Sequence, residues 1–163
     1  MNVFDLNFLK KELVEIMEEA FKTKKYKVGF TAGVFDMFHI GHLNVLKRAK
    51  EQCDFLIVGV STDEVVLENK HKRPIIPFDE RMKIIESIKY VDKAIPQESY
   101  DIEGKIKIAV ENNINVMFVG SDWKGTDKWN KLESILKEKN IDVIYLPHTD
   151  GISSSILREK IKK

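Results

Sequence analysis

The chain has 163 residues, 43% of them hydrophobic, which suits one compact domain with its own core. Lys and Arg number 27 against 26 Asp and Glu, so the net charge of +1 gives no electrostatic case for nucleic acid. No apolar run reaches the roughly 18 residues of a membrane span, and the single Cys53 cannot close an internal disulfide, which fits a reducing cytoplasm.

Leu6, Leu9, Leu13, Ile16, Met17 and Ala20 recur at helical spacing and predict an amphipathic helix of about four turns. Its scattered charges and lack of a cleavage site argue against a signal peptide. Residues 1–24 are read as a helical extension, expected to pack on its own domain; the other reading is a dimer or partner surface. Residues 25–163 are expected to form the main domain. There "YKVGFT" (Tyr26–Thr31) reads as the first buried strand, and Leu43, Leu46 and Ala49 space the next helix. "FLIVGV" (Phe55–Val60) is the second strand; Cys53 before it reads as a small buried hydrophobe rather than a nucleophile. The loop "ENKHKRP" carries Lys70, Lys72 and Arg73, in isolation a solvated charge run. Pro77 and Asp79 start a helix spaced by Met82, Ile85 and Ile88, in which Arg81 also suits a surface ion pair with Asp79 or Glu80.

"VDKAI" (Val91–Ile95) is the third strand, and Ile106, Ala109 and Val110 mark the following helix. "VMFVG" (Val116–Gly120) is the fourth, followed by "SDWKG", where Trp123 reads as a core residue and Asp122 as a loop-orienting one. Trp129, Leu132, Ile135 and Leu136 space another helix before the last strand, "VIYLP" (Val143–Pro147). "TDGISSS" then opens a helix, with its serines as N-cap candidates, and the basic "REKIKK" reads as solvated surface. Strands alternating with helices predict a doubly wound, Rossmann-like α/β domain on a five-stranded parallel sheet.

The chemistry concentrates in "TAGVFDMFHIGH". In an open parallel sheet the ligand crevice lies at the carboxyl ends of the strands. Thr31 to Gly41 leave the first strand there and feed a helix, whose first N–H groups favour anions. Gly33 and Gly41 permit close backbone approach. His39 and His42 each offer an N–H donor without needing a positive charge. Two bland readings stand beside this one: capping histidines, or half a zinc site. The zinc reading needs further ligands, whereas His71 and His148 lie in other loops and there is no cysteine pair.

Taken in order, "GVFDMFHIGH", "VGVSTDE", "KYVD", "VGSDWKG" and "TDGISSS" resemble the cytidylyltransferase-like nucleotidyltransferase superfamily, and most of all its glycerol-3-phosphate cytidylyltransferase group. The resemblance runs from about Tyr26 onward. It implies transfer of a nucleotidyl group, CMP from CTP being favoured, to a small phosphorylated alcohol, with release of pyrophosphate. The alcohol phosphate would be glycerol 3-phosphate-like, or phosphocholine or phosphoethanolamine. The implied catalytic residues are His39, His42, Lys70 and Lys72. The implied nucleotide site comprises Gly33, Val34, Phe35, Gly41, Arg81, Asp122, His148, Thr149, Gly151, Ile152, Ser153 and Ser154, with Asp36 fixing the loop. Mg²⁺ would arrive with the nucleotide, with no metal held by the protein. A homodimer is implied, with "IKYVDKAIP" at or near its interface.

Three positions depart from the group: His148 and Lys89 stand where Arg is usual, and Ser121 where Asp is usual. Arg is not replaced like for like at a bidentate phosphate contact. An adenylyltransferase of the same fold using ATP therefore stays open, as does a nucleotide-binding regulator without catalysis.

Overall fold

A computed structural model of the protein describes residues 3–20 and 24–162. The apolar runs become β1 (Tyr26–Gly33), β2 (Cys53–Ser61), β3 (Lys93–Gln97), β4 (Val116–Gly120) and β5 (Asp142–Leu146). They form one sheet in the order β3-β2-β1-β4-β5, and every pairing is parallel. The chain starts at the centre, walks to one edge through β2 and β3, then crosses β1 to lay down β4 and β5. The direction of winding reverses between β1 and β4, and there a doubly wound sheet opens its crevice.

The helices are α1 (Val3–Ala20), α2 (Ile40–Lys50), α3 (Asp63–Lys70), α4 (Phe78–Glu86), α5 (Ile102–Glu111), α6 (Asp127–Glu138) and α7 (Ser154–Ile161), with a short 3₁₀ turn at Ser121–Trp123. Leu46 and Ala49 of α2 and Ile85 of α4 pack on one face of the sheet with Leu56, Val58 and Val116. Ala109 of α5 and Trp129, Leu132 and Leu136 of α6 cover the other face, against Phe30, Ile57 and Met117. Both faces being covered explains why most strands read as unbroken apolar runs. Cys53 is fully buried, as expected, and burial pushes its thiol up to about 11.

The structure corrects three expectations. The third strand runs Lys93–Gln97, two residues later than Val91–Ile95, because Val91 N–H still bonds the carbonyl of Ile88 in a helical turn. Pro96 is tolerated within it because β3 is an edge strand. The loop read from Glu68 begins at His71 instead, because Lys70 ends α3, a short helix with little helical spacing in the sequence, its two buried residues being the neighbours Val65 and Val66. The helix expected near the N-terminus is present as α1, yet it does not bury its apolar face: Leu13 is 58% exposed and Ile16 64%. Both sheet faces are already covered, so no open apolar face is left to receive it. The boundary placed at residue 24 falls beside residues 21–23, which lie outside the described residues. No described helix is long and apolar enough to cross a membrane.

Candidate active site

The loop leaving β1 holds two non-glycine residues at positive φ, Phe35 (55°) and Met37 (49°). Such a conformation is sparsely populated and persists only where its surroundings enforce it. Asp36, between them, does so. It is 3% exposed, and its two carboxylate oxygens accept the backbone N–H groups of Ile75 and Ile76, each at 2.9 Å. Arg158 of α7 pairs with the same carboxylate, and Ser154 Oγ donates to the Asp36 carbonyl at 2.8 Å. One buried aspartate thus joins the β1 loop, the lysine loop and α7. The basic C-terminal run was expected to be solvated throughout; Arg158 is the exception, drawn in by Asp36, and Lys163 lies outside the described residues.

His39 is the N-cap of α2, as the capping reading of the histidines expects. Its Nδ1 accepts the Gly41 N–H at 3.1 Å, while His42 Nδ1 accepts the His39 N–H at 3.3 Å. This is a reciprocal capping box built from two imidazoles. A backbone N–H can only donate, so in the neutral rings the proton sits on Nε2 of both. The rings stack at 3.8 Å between centroids, and each is left with one outward N–H donor. Gly41 is required here: a Cβ at this position would lie 2.9 Å from the His39 ring.

Burial lowers the pKa of His39 and holds His42 at about 4, with the nearby His39 adding repulsion and Asp36 opposing both. The pair is therefore neutral near pH 7. An unfolded His42 would titrate near the ordinary histidine value of 6.5. Between about pH 6.5 and 4 the unfolded chain binds the extra proton, so stability falls as pH drops through that window. The expected loss is at most ~3 kcal/mol, and the His42 contribution is flat above the window. His42→Asn should remove most of this slope. Urea midpoints at several pH values check it; parallel profiles for parent and variant would refute it.

Two cavities open at the carboxyl edge. One, of about 510 Å³, is lined by Asp36, His42, Lys70, Lys72, Arg73 and Arg158, with Val34, Phe35 and Ser154 among its walls. It is strongly cationic, and its single carboxylate is already committed. Lys70 has its pKa lowered by partial withdrawal from water and by repulsion from Lys72 and Arg158. Of the residues expected to hold nucleotide, Arg81 is not in this cavity. It is wholly buried, donating to the carbonyls of Val34 (2.6 Å), Ser61 (2.8 Å) and Ile76 (2.9 Å), and it pairs with Asp63 at 2.6 Å. Its guanidinium is consumed by the scaffold, so Arg81 positions the Val34 loop instead of meeting a ligand. The surface pair with Asp79 or Glu80 does not form either; Asp63 takes that place.

The other cavity, of about 460 Å³, lies where β1 and β4 part. Their ladder has only the pairs Gly29↔Val116 and Phe30↔Met117, although both strands run on. The gap exposes Gly33 and Val34 on one wall and Val119 and Gly120 on the other. Gln97, Tyr100, Lys105 and Lys128 complete the lining with Trp123, which is 55% exposed and is no core residue. The sequence reading missed the four residues from Gln97 to Lys128. The available signal was "QESYDIEGK", which follows the end of β3 and so must emerge at the crevice edge. Among the described residues, only Val34 and Lys70 line both cavities.

The remaining expected residues cluster on the β4–β5 side. His148 Nε2 meets Asp122 Oδ2 at 2.5 Å, both exposed. Thr149 Oγ1 accepts from Asn44 of α2 at 3.0 Å, tying this loop to the histidine helix. Gly151 takes φ +77°, which favours glycine, and leads through Ile152 to Ser153, whose Oγ caps α7 by accepting the Ile156 N–H at 3.1 Å.

Comparison with known proteins agrees with this arrangement. Residues 30–160 match the Cytidylyltransferase-like family. A glycerol-3-phosphate cytidylyltransferase of Bacillus subtilis is 39% identical over 131 residues, covering 80% of this chain and 94% of the relative. An FAD synthase of Thermococcus sibiricus is 37% identical over 145 residues, covering 85% and 95%. Among solved structures, a lipopolysaccharide core biosynthesis protein of Thermoplasma volcanium superposes with a TM-score of 0.62 at 29% identity, covering 76% of this chain and 96% of that one. The family match spans the paired histidines and the two serines that open α7, and the chain belongs to the cytidylyltransferase-like family of nucleotidyltransferases.

Proposed function

We propose that the protein transfers CMP from CTP to a small phosphorylated alcohol of the glycerol 3-phosphate kind. The carrying observation is that a cationic cavity and a second pocket meet at one lysine, Lys70, with His42 of the neutral histidine pair in the wall of the cationic cavity. In this reading the triphosphate lies in the cationic cavity, against Lys70, Lys72, Arg73, Ser154 and the start of α7. The acceptor enters the second pocket. One oxygen of its phosphate attacks the α-phosphorus in line, the bond from that phosphorus to the β-bridging oxygen breaks, and pyrophosphate departs with the electron pair. A phosphate monoester loses its second proton near pH 6, so the attacking oxygen needs no general base. The chain's tasks are orientation and charge stabilisation on the α-phosphoryl oxygens. Neutral His39 and His42 donate through Nε2, and Lys70 meets both anions.

Mg²⁺ would neutralise the triphosphate oxygens when carried in by the nucleotide. The donor set fits that route: the cavity offers cations and hydroxyls, and its carboxylate, Asp36, is bound to Arg158 and two backbone N–H groups.

A second reading is favoured by the FAD synthase relatives: ATP as the donor and a flavin mononucleotide as the acceptor. A pyrophosphate-release screen of four nucleoside triphosphates separates them. The acceptors are glycerol 3-phosphate, phosphocholine, phosphoethanolamine and flavin mononucleotide. The expected result is Mg²⁺-dependent release with CTP and a small phosphorylated alcohol. Release only with ATP and flavin mononucleotide would overturn the cytidylyltransferase reading and leave the fold and the histidine pair standing.

A further inference from the structure

The pocket assigned to the acceptor has a chemical bias that glycerol phosphate does not use. Its lining contains three lysines, Lys70, Lys105 and Lys128, and no carboxylate. Lys70 belongs to the junction with the cationic cavity. Lys128 lies away from it. Lys70 closes α3, which follows β2, while Lys128 opens α6, which follows β4 on the opposite side of β1. Lys105 sits in α5, which packs on α6. Its ammonium lies 5.4 Å from the Trp129 ring centroid and 5.9 Å from that of Tyr100, so the two rings flank it without neutralising it.

The carboxylate nearest in charge, Asp101, is already the N-cap of α5, accepting the Gly104 N–H at 2.6 Å. The Lys105 pKa is lowered to about 8, by burial first and by repulsion from Lys128 second, with Asp101 opposing both. A second and independent observation sits on the same wall. Gln97 is 1% exposed, its Oε1 accepts from Ser61 Oγ at 3.3 Å, and its Nε2 has no partner. A buried amide donor without an acceptor costs free energy unless a ligand supplies one.

We propose that Lys105, Lys128 and the Gln97 amide form an anion-reading subsite in this pocket, so that the acceptor is a phosphate monoester bearing a second anionic group, such as a carboxylate, distal to its reacting phosphate. The inference rests on the two-cavity reading above. The phosphate at the Lys70 junction reacts, and the distal carboxylate is gripped by two ammonium groups and one amide N–H. A neutral hydroxymethyl group in that place leaves the two lysines repelling each other across an empty subsite.

Glycerol 3-phosphate and 3-phosphoglycerate test this directly, since they differ only in a distal hydroxymethyl against a carboxylate. With CTP the expected kcat/KM favours 3-phosphoglycerate by about tenfold or more, the range of a charge-assisted hydrogen bond. Lys105→Met or Lys128→Met should collapse that ratio, and Lys105→Arg should keep most of it. Lys128 is exposed, so its variant avoids a folding defect. Turnover of both acceptors with no preference, or with glycerol 3-phosphate preferred, overturns the subsite and leaves the proposed reaction intact. If neither acceptor turns over, the reaction itself is judged by the wider acceptor screen above. Calorimetry then decides the subsite alone: tighter binding of 3-phosphoglycerate that is lost in Lys128→Met supports it, whereas equal binding or none overturns it.

Discussion

His39→Asn is expected to cut kcat about a hundredfold while leaving the unfolding free energy within about 0.5 kcal/mol of the parent. The two parts separate because His39 does two jobs through two nitrogens. Nδ1 caps α2 by accepting the Gly41 N–H, a task that Asn performs as well as any residue. Nε2–H points outward and would meet charge developing on the α-phosphoryl oxygen, a reach the shorter amide lacks. Removing one such preorganised donor typically costs 10²–10³ in rate. His39→Ala loses both functions, and about 1 kcal/mol of stability goes with the cap. Steady-state kinetics beside urea denaturation check the pair of variants. A folded His39→Asn turning over within threefold of the parent would sink the donor role.

Arg81→Met is expected to lower the unfolding free energy by about 3–5 kcal/mol, the usual cost of breaking a buried ion pair from one side. The variant leaves the Val34, Ser61 and Ile76 carbonyls without their donor and Asp63 without its partner. Arg81→Lys should recover only part, because one ammonium cannot reproduce a planar fork aimed at several acceptors. Denaturant midpoints measure both. A variant as stable as the parent that had lost nucleotide binding would return Arg81 to the nucleotide site.

Arg81 also marks the limit of what the chain of letters discloses. An arginine at the start of a helix, beside Asp79 and Glu80, has the same sequence context whether it faces water or fills the core. Its real partners lie 20 and 47 positions back, at Ser61 and Val34. Arg158 hid for the same reason: it reads as solvated in a basic run and is drawn inward by Asp36 of a distant loop. The five strands were legible because a sheet covered on both faces forces continuous apolar runs, whatever else the chain does. The histidine loop was legible because its spacing is set locally, by one turn of helix and one close approach at Gly41. The second pocket was not, since it arises from β1 and β4 diverging after Phe30, a property of two strands that neither segment carries alone.

The aspartate that clasps the β1 loop has a consequence for how the site comes into being. Asp36 meets residues 39 and 40 positions along the chain, and then others 118 and 122 positions along. Closing a free loop of the longer kind costs about 4 kcal/mol in chain entropy by logarithmic scaling, more than one ion pair returns. The pair cannot recruit α7 by itself. The parallel sheet bears that cost first, carrying the chain across β4 and β5 and delivering α7 to the edge where Asp36 waits. The clasp of α7 on the β1 loop is therefore tied to assembly of the whole sheet, and a chain with β4 or β5 unpaired lacks the α7 side of that clasp.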